Sequence, residues 1–318
     1  MNSMGGRIVV TGGAGFVGSH LVERLHASGS EVTVVDDLSN GRRDRIPDPI
    51  NLERIDLTDE VAVDRLIDRD VDLVFHLAAR TEVHDDDPRG QFETNTKMTH
   101  NVLEACRTAD VRRVVYASSS AVYGETTGRP SEERTPLEPI SVYGASKAAD
   151  EALLSAFAGS CDLTVWNCRF TNIVGPRSKG SVVPDFVEKL RANPRRLTIL
   201  GNGRQEKSYV HVRDAVAAMC HVIESDVASD PGVHTFNVGT HTTTTVDRIA
   251  EIVADVLGVA PSFEYTGGDR GWAGDVPRIH PSIAKLADLD WTPELESDEA
   301  VRLAAEQLAG RRRTPVKG

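Results

Sequence analysis

The chain has 318 residues, 40% hydrophobic and 26% charged, enough for one large domain or two smaller ones with a sizeable core. A formal net charge of -12 argues against nucleic acid or an anionic membrane as the main partner, and arginine carries nearly all of the basic charge, as in a salt-adapted or GC-rich source. Cys106, Cys161, Cys168 and Cys220 lack Cys-x-x-Cys spacing, no leader is read before Gly5, and no apolar run approaches the roughly 20 residues of a membrane span, so a cytoplasmic protein with reduced thiols and no metal site is expected.

In chain order, Ile8 to Thr11 form an apolar, β-branched run, followed by a glycine-rich turn and apolar residues at helical spacing through Val17, Leu21 and Leu25. The glycines fall as Gly12-x-x-Gly15-x-x-Gly18. That spacing permits a tight turn, close approach of backbone to a pyrophosphate, and close packing of helix on strand. The sequence EVTVVDD then predicts a second strand ending in Asp36, about 20 residues on, where a carboxylate would hold an adenosine ribose. The same charge repels a 2′-phosphate and favours NAD over NADP, although Arg42 and Arg43 lie near in sequence.

Strands and helices keep alternating. VDLVFHLAA (71 to 79) and VRRVVYASSS (111 to 120) read as buried strands with a helix from Glu93 to Thr108 between them, and CDLTVWNCRF (161 to 170) as a further strand. The fold class expected is α/β: a Rossmann-like doubly wound parallel sheet with a smaller C-terminal α/β substrate domain. Residues 5–168 with 208–240 are expected to form the NAD-binding domain, and 169–207 with 241–318 the nucleotide-sugar-binding domain. The helical stretch 245–258 belongs to the latter, and the tail GRRRTPVKG reads as a solvated end.

SVYGASK, residues 141–147, sets Tyr143 one helical turn before Lys147 on the same face. A fixed ammonium beside a phenol lowers the phenol's pKa from about 10 and makes a general base of it. Ser118, Ser119 and Ser120 end the preceding predicted strand, which points a serine hydroxyl to the same crevice.

The ordered series TGGAGFVG, VDDLSNG, IDLTD, FHLAA, YASSSAVYG, YGASK, RFTNIVGPR and GNGRQEKSYVHVRDAV resembles the extended short-chain dehydrogenase/reductases, and among them the nucleotide-sugar 4-epimerases of the UDP-glucose 4-epimerase type. The resemblance implies a catalytic set of Ser119, Tyr143 and Lys147. It implies NAD held by Gly12, Gly15, Phe16, Val17, Gly18, Asp36, Asp37 and Asn40, with Asp56 and Leu57 at the adenine and Leu77, Ala78 and Ala79 on the nicotinamide side. Asn95 would steady the site from the strand neighbouring Ser119. Ser119, Ser120, Asn172, Lys207 and Arg270 would meet the nucleotide sugar, a UDP-hexose by resemblance, and a homodimer is implied.

On this resemblance Tyr143, kept as phenolate by Lys147 and a positive nicotinamide, takes the proton of a sugar hydroxyl while the carbon gives hydride to NAD, and return of hydride to the other face of a 4-keto sugar inverts the centre. The family's dehydratases resemble Thr-Asp-Glu at the strand end, and its decarboxylases usually place a glutamate at position 121. Here Ser119, Ser120 and Ala121 stand there. A 4-epimerase is the expected activity, with UDP-N-acetylglucosamine or UDP-glucuronate as other substrates, a 4-ketoreductase as competitor, and a non-catalytic NAD sensor as the remote alternative. One departure is Lys207-Ser208 in place of the family's arginine-led diphosphate grip, a point charge instead of a bidentate fork.

Overall fold

The computed structural model describes residues 6–81, 87–225, 230–272 and 274–310; the residues before Gly6 and the arginine-rich tail from Arg311 lie outside these. The chain runs through β1 (Arg7–Thr11), α1 (Phe16–Ala27), β2 (Glu31–Val35), β3 (Asn51–Glu53), α2 (Glu60–Leu66), β4 (Val71–His76), α3 (Pro88–Ala109), β5 (Arg113–Ser119), α4 (Val142–Cys161) and β6 (Thr164–Phe170). It continues through β7 (Asn172–Val174), α5 (Val182–Ala192), β8 (Arg196–Ile199), β9 (Glu206–Lys207), β10 (Tyr209–His211), α6 (Val212–Glu224) and β11 (Gly232–Val238). The remaining elements are β12 (Thr244–Thr245), α7 (Val246–Leu257), β13 (Ser262–Tyr265), β14 (Arg278–Ile279), α8 (Ala284–Ala287) and α9 (Ser297–Leu308).

Seven strands form one sheet in the order β11-β6-β5-β4-β1-β2-β3. The pairs β1–β2, β1–β4, β2–β3 and β4–β5 are parallel, and Val10 lies between Val34 and Phe75. Helices cover both faces, so β6 is buried along its whole length and β4 at all positions but Asp72. This is why these strands read as unbroken apolar runs and not as alternating ones. Strand order reverses at β1, with β2 on one side and β4 on the other, and in open α/β sheets ligands bind beyond the carboxyl ends of the strands at such a switch point.

Two compact units divide the chain: Met1–Gly124 with Pro136–Arg169 and Val216–Phe236, and Glu125–Thr135 with Phe170–Ala215 and Asn237–Gly318. Set against the boundaries expected from sequence, 125–135, 208–215 and 237–240 group with the second unit and Arg169 with the first. In the first unit, Val9, Val74, Val102, Val114, Leu154 and Val165 belong to one core joining sheet and helices, each such side chain contributing roughly 1.5–3 kcal/mol on burial. The second has its own core, in which Val187 and Leu190 of α5, Ile252 and Val253 of α7 and Val301 of α9 meet Leu197 and Tyr209. The amphipathic period of α7 is bounded by the Thr245 hydroxyl, which accepts from Arg248 N, and by Gly258 in a left-handed conformation.

Candidate active site

The loop after β1 is shaped by backbone approach. Gly12 has φ +66°, and a Cβ there would stand 2.7 Å from Ala78 N; one on Gly18 would stand 2.2 Å from Gly12 O. Helix α1 opens at Phe16 behind Gly15 with no side-chain cap and no acid in its first turn, so the N–H groups of Phe16, Val17 and Gly18 form a positive end suited to a phosphate. Leu77 N and Ala78 N bond Thr11 Oγ1 at 3.2 and 3.3 Å, which brings Leu77, Ala78 and Ala79 beside the glycine loop.

Asp36, buried at the end of β2, accepts from Ala14 N at 3.0 Å and Leu38 N at 2.9 Å. Burial raises its carboxyl above the ordinary value, against the pull of the Leu38 and Ala14 N–H groups. Asp37 and Asn40 are exposed on the same loop, and Asp37 turns it by accepting from Ser39 N and Oγ. Asp56 likewise turns the chain at Thr58, whereas the Leu57 side chain lies in the core and offers its backbone carbonyl to Asn101 Nδ2 at 2.8 Å.

Asn95 corrects the expectation: it is on helix α3, not on a strand. From there its Oδ1 accepts from Arg80 N at 2.8 Å, and its Nδ2 donates to Arg80 O and Ser146 Oγ, each at 3.1 Å. A buried amide on the inner face of a long helix reaches the loop after β4 and the first turns of α4 together.

Helix α4 starts at Val142, where Ser141 accepts from Gly144 N, and it presents Tyr143 and Lys147 one turn apart. Ser119 Oγ accepts from Ala121 N at 3.1 Å and lies near enough to the Tyr143 phenol to lower its pKa. The structure therefore brings Ser119 and Tyr143 together. Ser120 is buried in a short 3-10 turn, and Ser118 donates to Glu151 Oε1 at 2.5 Å.

Lys147 differs from expectation. The residue is 2% exposed, and its Nζ donates to Tyr116 Oη at 3.0 Å and Ala117 O at 2.9 Å, and not to Tyr143. Burial pushes the Tyr143 phenol up to about 12, offset in part by the nearby Ser119 hydroxyl, and pushes Lys147 down to about 8 against the charges of Asp150 and Glu151. In this arrangement Lys147 does not make a phenolate of Tyr143. A neutral phenol here is a proton donor until further positive charge arrives.

In the second unit, Lys207 is buried and not a solvated surface residue. Its ammonium meets Asp275 Oδ1 at 2.5 Å and lies 5.1 Å from the Trp272 ring centroid. Arg270 is exposed, donates to Asp275 O at 2.9 Å and pairs with Glu125. Asn172 Nδ2 donates to Ser208 O at 3.3 Å. Sequence reasoning missed Tyr116, Asp150, Glu151, Arg169, Trp272 and Asp275. The lone signals available were charges at 150 and 151 on the apolar face of a helix, and these look like any polar pair until a partner strand is known.

Residues 8–239 match the sequence model of the NAD dependent epimerase/dehydratase family, and the chain belongs to that family. It is 34% identical over 315 residues to UDP-glucose 4-epimerase of Mycolicibacterium smegmatis, covering 94% of this chain and 97% of that one. UDP-glucuronic acid decarboxylase 1 of Arabidopsis thaliana is 31% identical over 93% of this chain and 68% of its own. Among solved structures, a UDP-galactose 4-epimerase superposes with TM-score 0.87 at 42% identity, covering 96% of this chain and 99% of that one. UDP-glucose 4-epimerase of Thermus thermophilus, solved with NAD, gives 0.85 at 35% identity over the same shares. The chain is thus an NAD-dependent enzyme of the isomerase class, with the sheet and glycine loop such a cofactor needs.

Proposed function

We propose that the chain interconverts UDP-glucose and UDP-galactose through a transient 4-keto sugar. The observation that carries the reading is Ser119, at the end of β5, standing beside the Tyr143 phenol in the first turn of α4, with alanine at position 121. A hydroxyl and a phenol there can exchange the proton of a sugar 4-hydroxyl; no carboxyl stands at 121 to assist elimination or decarboxylation.

The fit of NAD to the first unit rests on the close backbone approach of Gly12 and Gly18, the uncapped start of α1, and the buried Asp36. Gly12, Gly15, Phe16, Val17 and Gly18 would hold the pyrophosphate; Asp36, Asp37 and Asn40 the adenosine ribose; Leu77, Ala78 and Ala79 the nicotinamide side. When bound, NAD supplies reversible hydride acceptance and a positive ring that draws the Tyr143 phenol toward its ionised form. Tyr143 then takes the 4-hydroxyl proton, and Ser119 donates to the oxygen on which charge develops. The same two groups return the proton after the keto sugar presents its other face. Lys207 and Arg270, both anchored on Asp275, are the candidates for the diphosphate, with Asn172 beside Ser208. The pairing of two chains and a cytoplasmic location belong to the same proposal.

A proton NMR time course with UDP-galactose, UDP-N-acetylgalactosamine and UDP-galacturonate in separate tubes, with no cofactor added, tests the reading. Conversion of UDP-galactose to its gluco isomer is expected, and Tyr143→Phe should slow it by ~10²–10⁴-fold. Conversion of another sugar alone would reassign the substrate. Silence in all three from folded, NAD-supplemented protein would favour the 4-ketoreductase, which needs the same three residues.

A further inference from the structure

Behind Lys147 lies a carboxylate that the reaction scheme leaves unused. Asp150 is 1% exposed and follows Lys147 by three residues on α4. Between them stands Tyr116 of β5, fully buried, whose hydroxyl donates to Asp150 Oδ2 at 2.5 Å and accepts from Lys147 Nζ at 3.0 Å. The ammonium also lies 4.6 Å from the Tyr116 ring centroid.

The direction of these bonds follows from chemistry. An ammonium only donates, so Tyr116 must accept from Lys147 and commit its own proton to a carboxylate. Lys147 spends a second N–H on Ala117 O, which leaves one of its three for the site. Charge is balanced locally. From α4, Asp150, Glu151 and Tyr143 face Lys147; from β4, His76, neutral in its burial; from β5, Tyr116; and Arg169 of β6 engages Glu151 with Nε and Nη2. Glu151 is thus matched by Arg169, and the group that matches Lys147 is Asp150, whose carboxyl burial raises while the Lys147 charge and the Tyr116 hydroxyl pull it back down.

We propose that Asp150, acting through Tyr116, is a positioning residue that keeps Lys147 charged and held one turn from Tyr143. The proposal rests on the reading of Tyr143 and Lys147 as catalytic. A purely structural pair would alter folding without altering the ionisation of Lys147, and that difference can be measured.

Lysine occurs at only seven positions, so the 13Cε resonances of lysine-labelled protein can be assigned by Lys→Arg substitution. Lys147 should titrate near 8 in the parent protein, and at lower pH in Asp150→Asn, because removing a carboxylate removes a cause that raises it. Turnover of UDP-galactose should follow: kcat above pH 8 falls by about ten-fold, KM changes little, and activity recovers toward pH 6, where Lys147 is charged in both proteins. Tyr116→Phe keeps the charge and breaks the link; it should lower kcat as well, and the double variant should be no worse than the worse single one.

An unmoved Lys147 titration in folded Asp150→Asn, or a moved titration with an unchanged pH profile, overturns the proposal. Should Asp150→Asn not fold, Tyr116→Phe, which loses a single oxygen, carries the test, and a parent-like kcat for it also overturns the proposal. Tyr143→Phe separates the two readings: if it retains full activity, the catalytic assignment fails, while the titration still reports on Asp150.

Discussion

At the end of β4, His76 places Nδ1 2.8 Å from Thr11 Oγ1 and Nε2 3.1 Å from Thr99 Oγ1, with its ring centroid 5.6 Å from that of Tyr116. Burial, with the nearby Lys147 charge, pushes its pKa down to about 3. An unfolded histidine titrates near 6.5, so between those values the unfolded chain holds a proton that the folded chain does not, and stability is lost as pH falls through that window. The slope contributed is about 1.4 kcal/mol per pH unit. His76→Gln should flatten the pH dependence of urea unfolding between pH 6 and 4; a slope equal to that of the parent would remove His76 from the account. In the sequence His76 was one histidine in an apolar run, and nothing local set it apart from a ligand or a titrating base. Asp36 was legible because its strand and its distance from the glycines are local facts.

Helix α4 carries Tyr143 and Lys147 in its first two turns and Glu151 one turn beyond Lys147. Glu151 accepts from Arg169 Nε and Nη2 and from Ser118, while Arg169 Nη1 donates to Tyr123 Oη at 2.8 Å, all buried. This joins α4 to β5, β6 and the turn after Ser119. Breaking one partner of such a buried pair leaves an uncompensated charge, so Glu151→Gln should lower the unfolding free energy by about 3–5 kcal/mol in urea titration. Glu151→Gln with Arg169→Met should cost less than Glu151→Gln alone; a larger loss would mean that packing, not charge, holds the strand ends. The helix itself was readable from SVYGASK and the apolar spacing after it. Its anchor was not, because position 151 meets position 169 only after the chain has crossed into the next strand.

Across the whole molecule the excess of acid acts as a field. A net charge of -12 repels itself in the compact state, and added salt screens that repulsion within about 10 Å at 0.1 M and 3 Å at 1 M. The unfolding temperature should therefore rise between 0.05 and 1 M KCl, by about 2 °C for each kcal/mol gained. A falling temperature would show that the many surface pairs, such as Arg248 with Glu251 and Asp298, outweigh the repulsion, since salt weakens those too.

What the sequence by itself determined is whatever depends on near neighbours: alternating strands and helices, the glycine turn with Asp36 beyond it, Tyr143 and Lys147 one turn apart, and, through the order of these motifs, the family. Tertiary structure alone decided where the long side chains end. Lys147 bonds Tyr116, 31 residues away, Lys207 pairs with Asp275, 68 away, and Asn95 spans to Ser146, 51 away. Backbone propensity and apolar period act over a few residues, whereas a buried ammonium or amide must find a partner among whatever strands and helices the sheet order brings beside it.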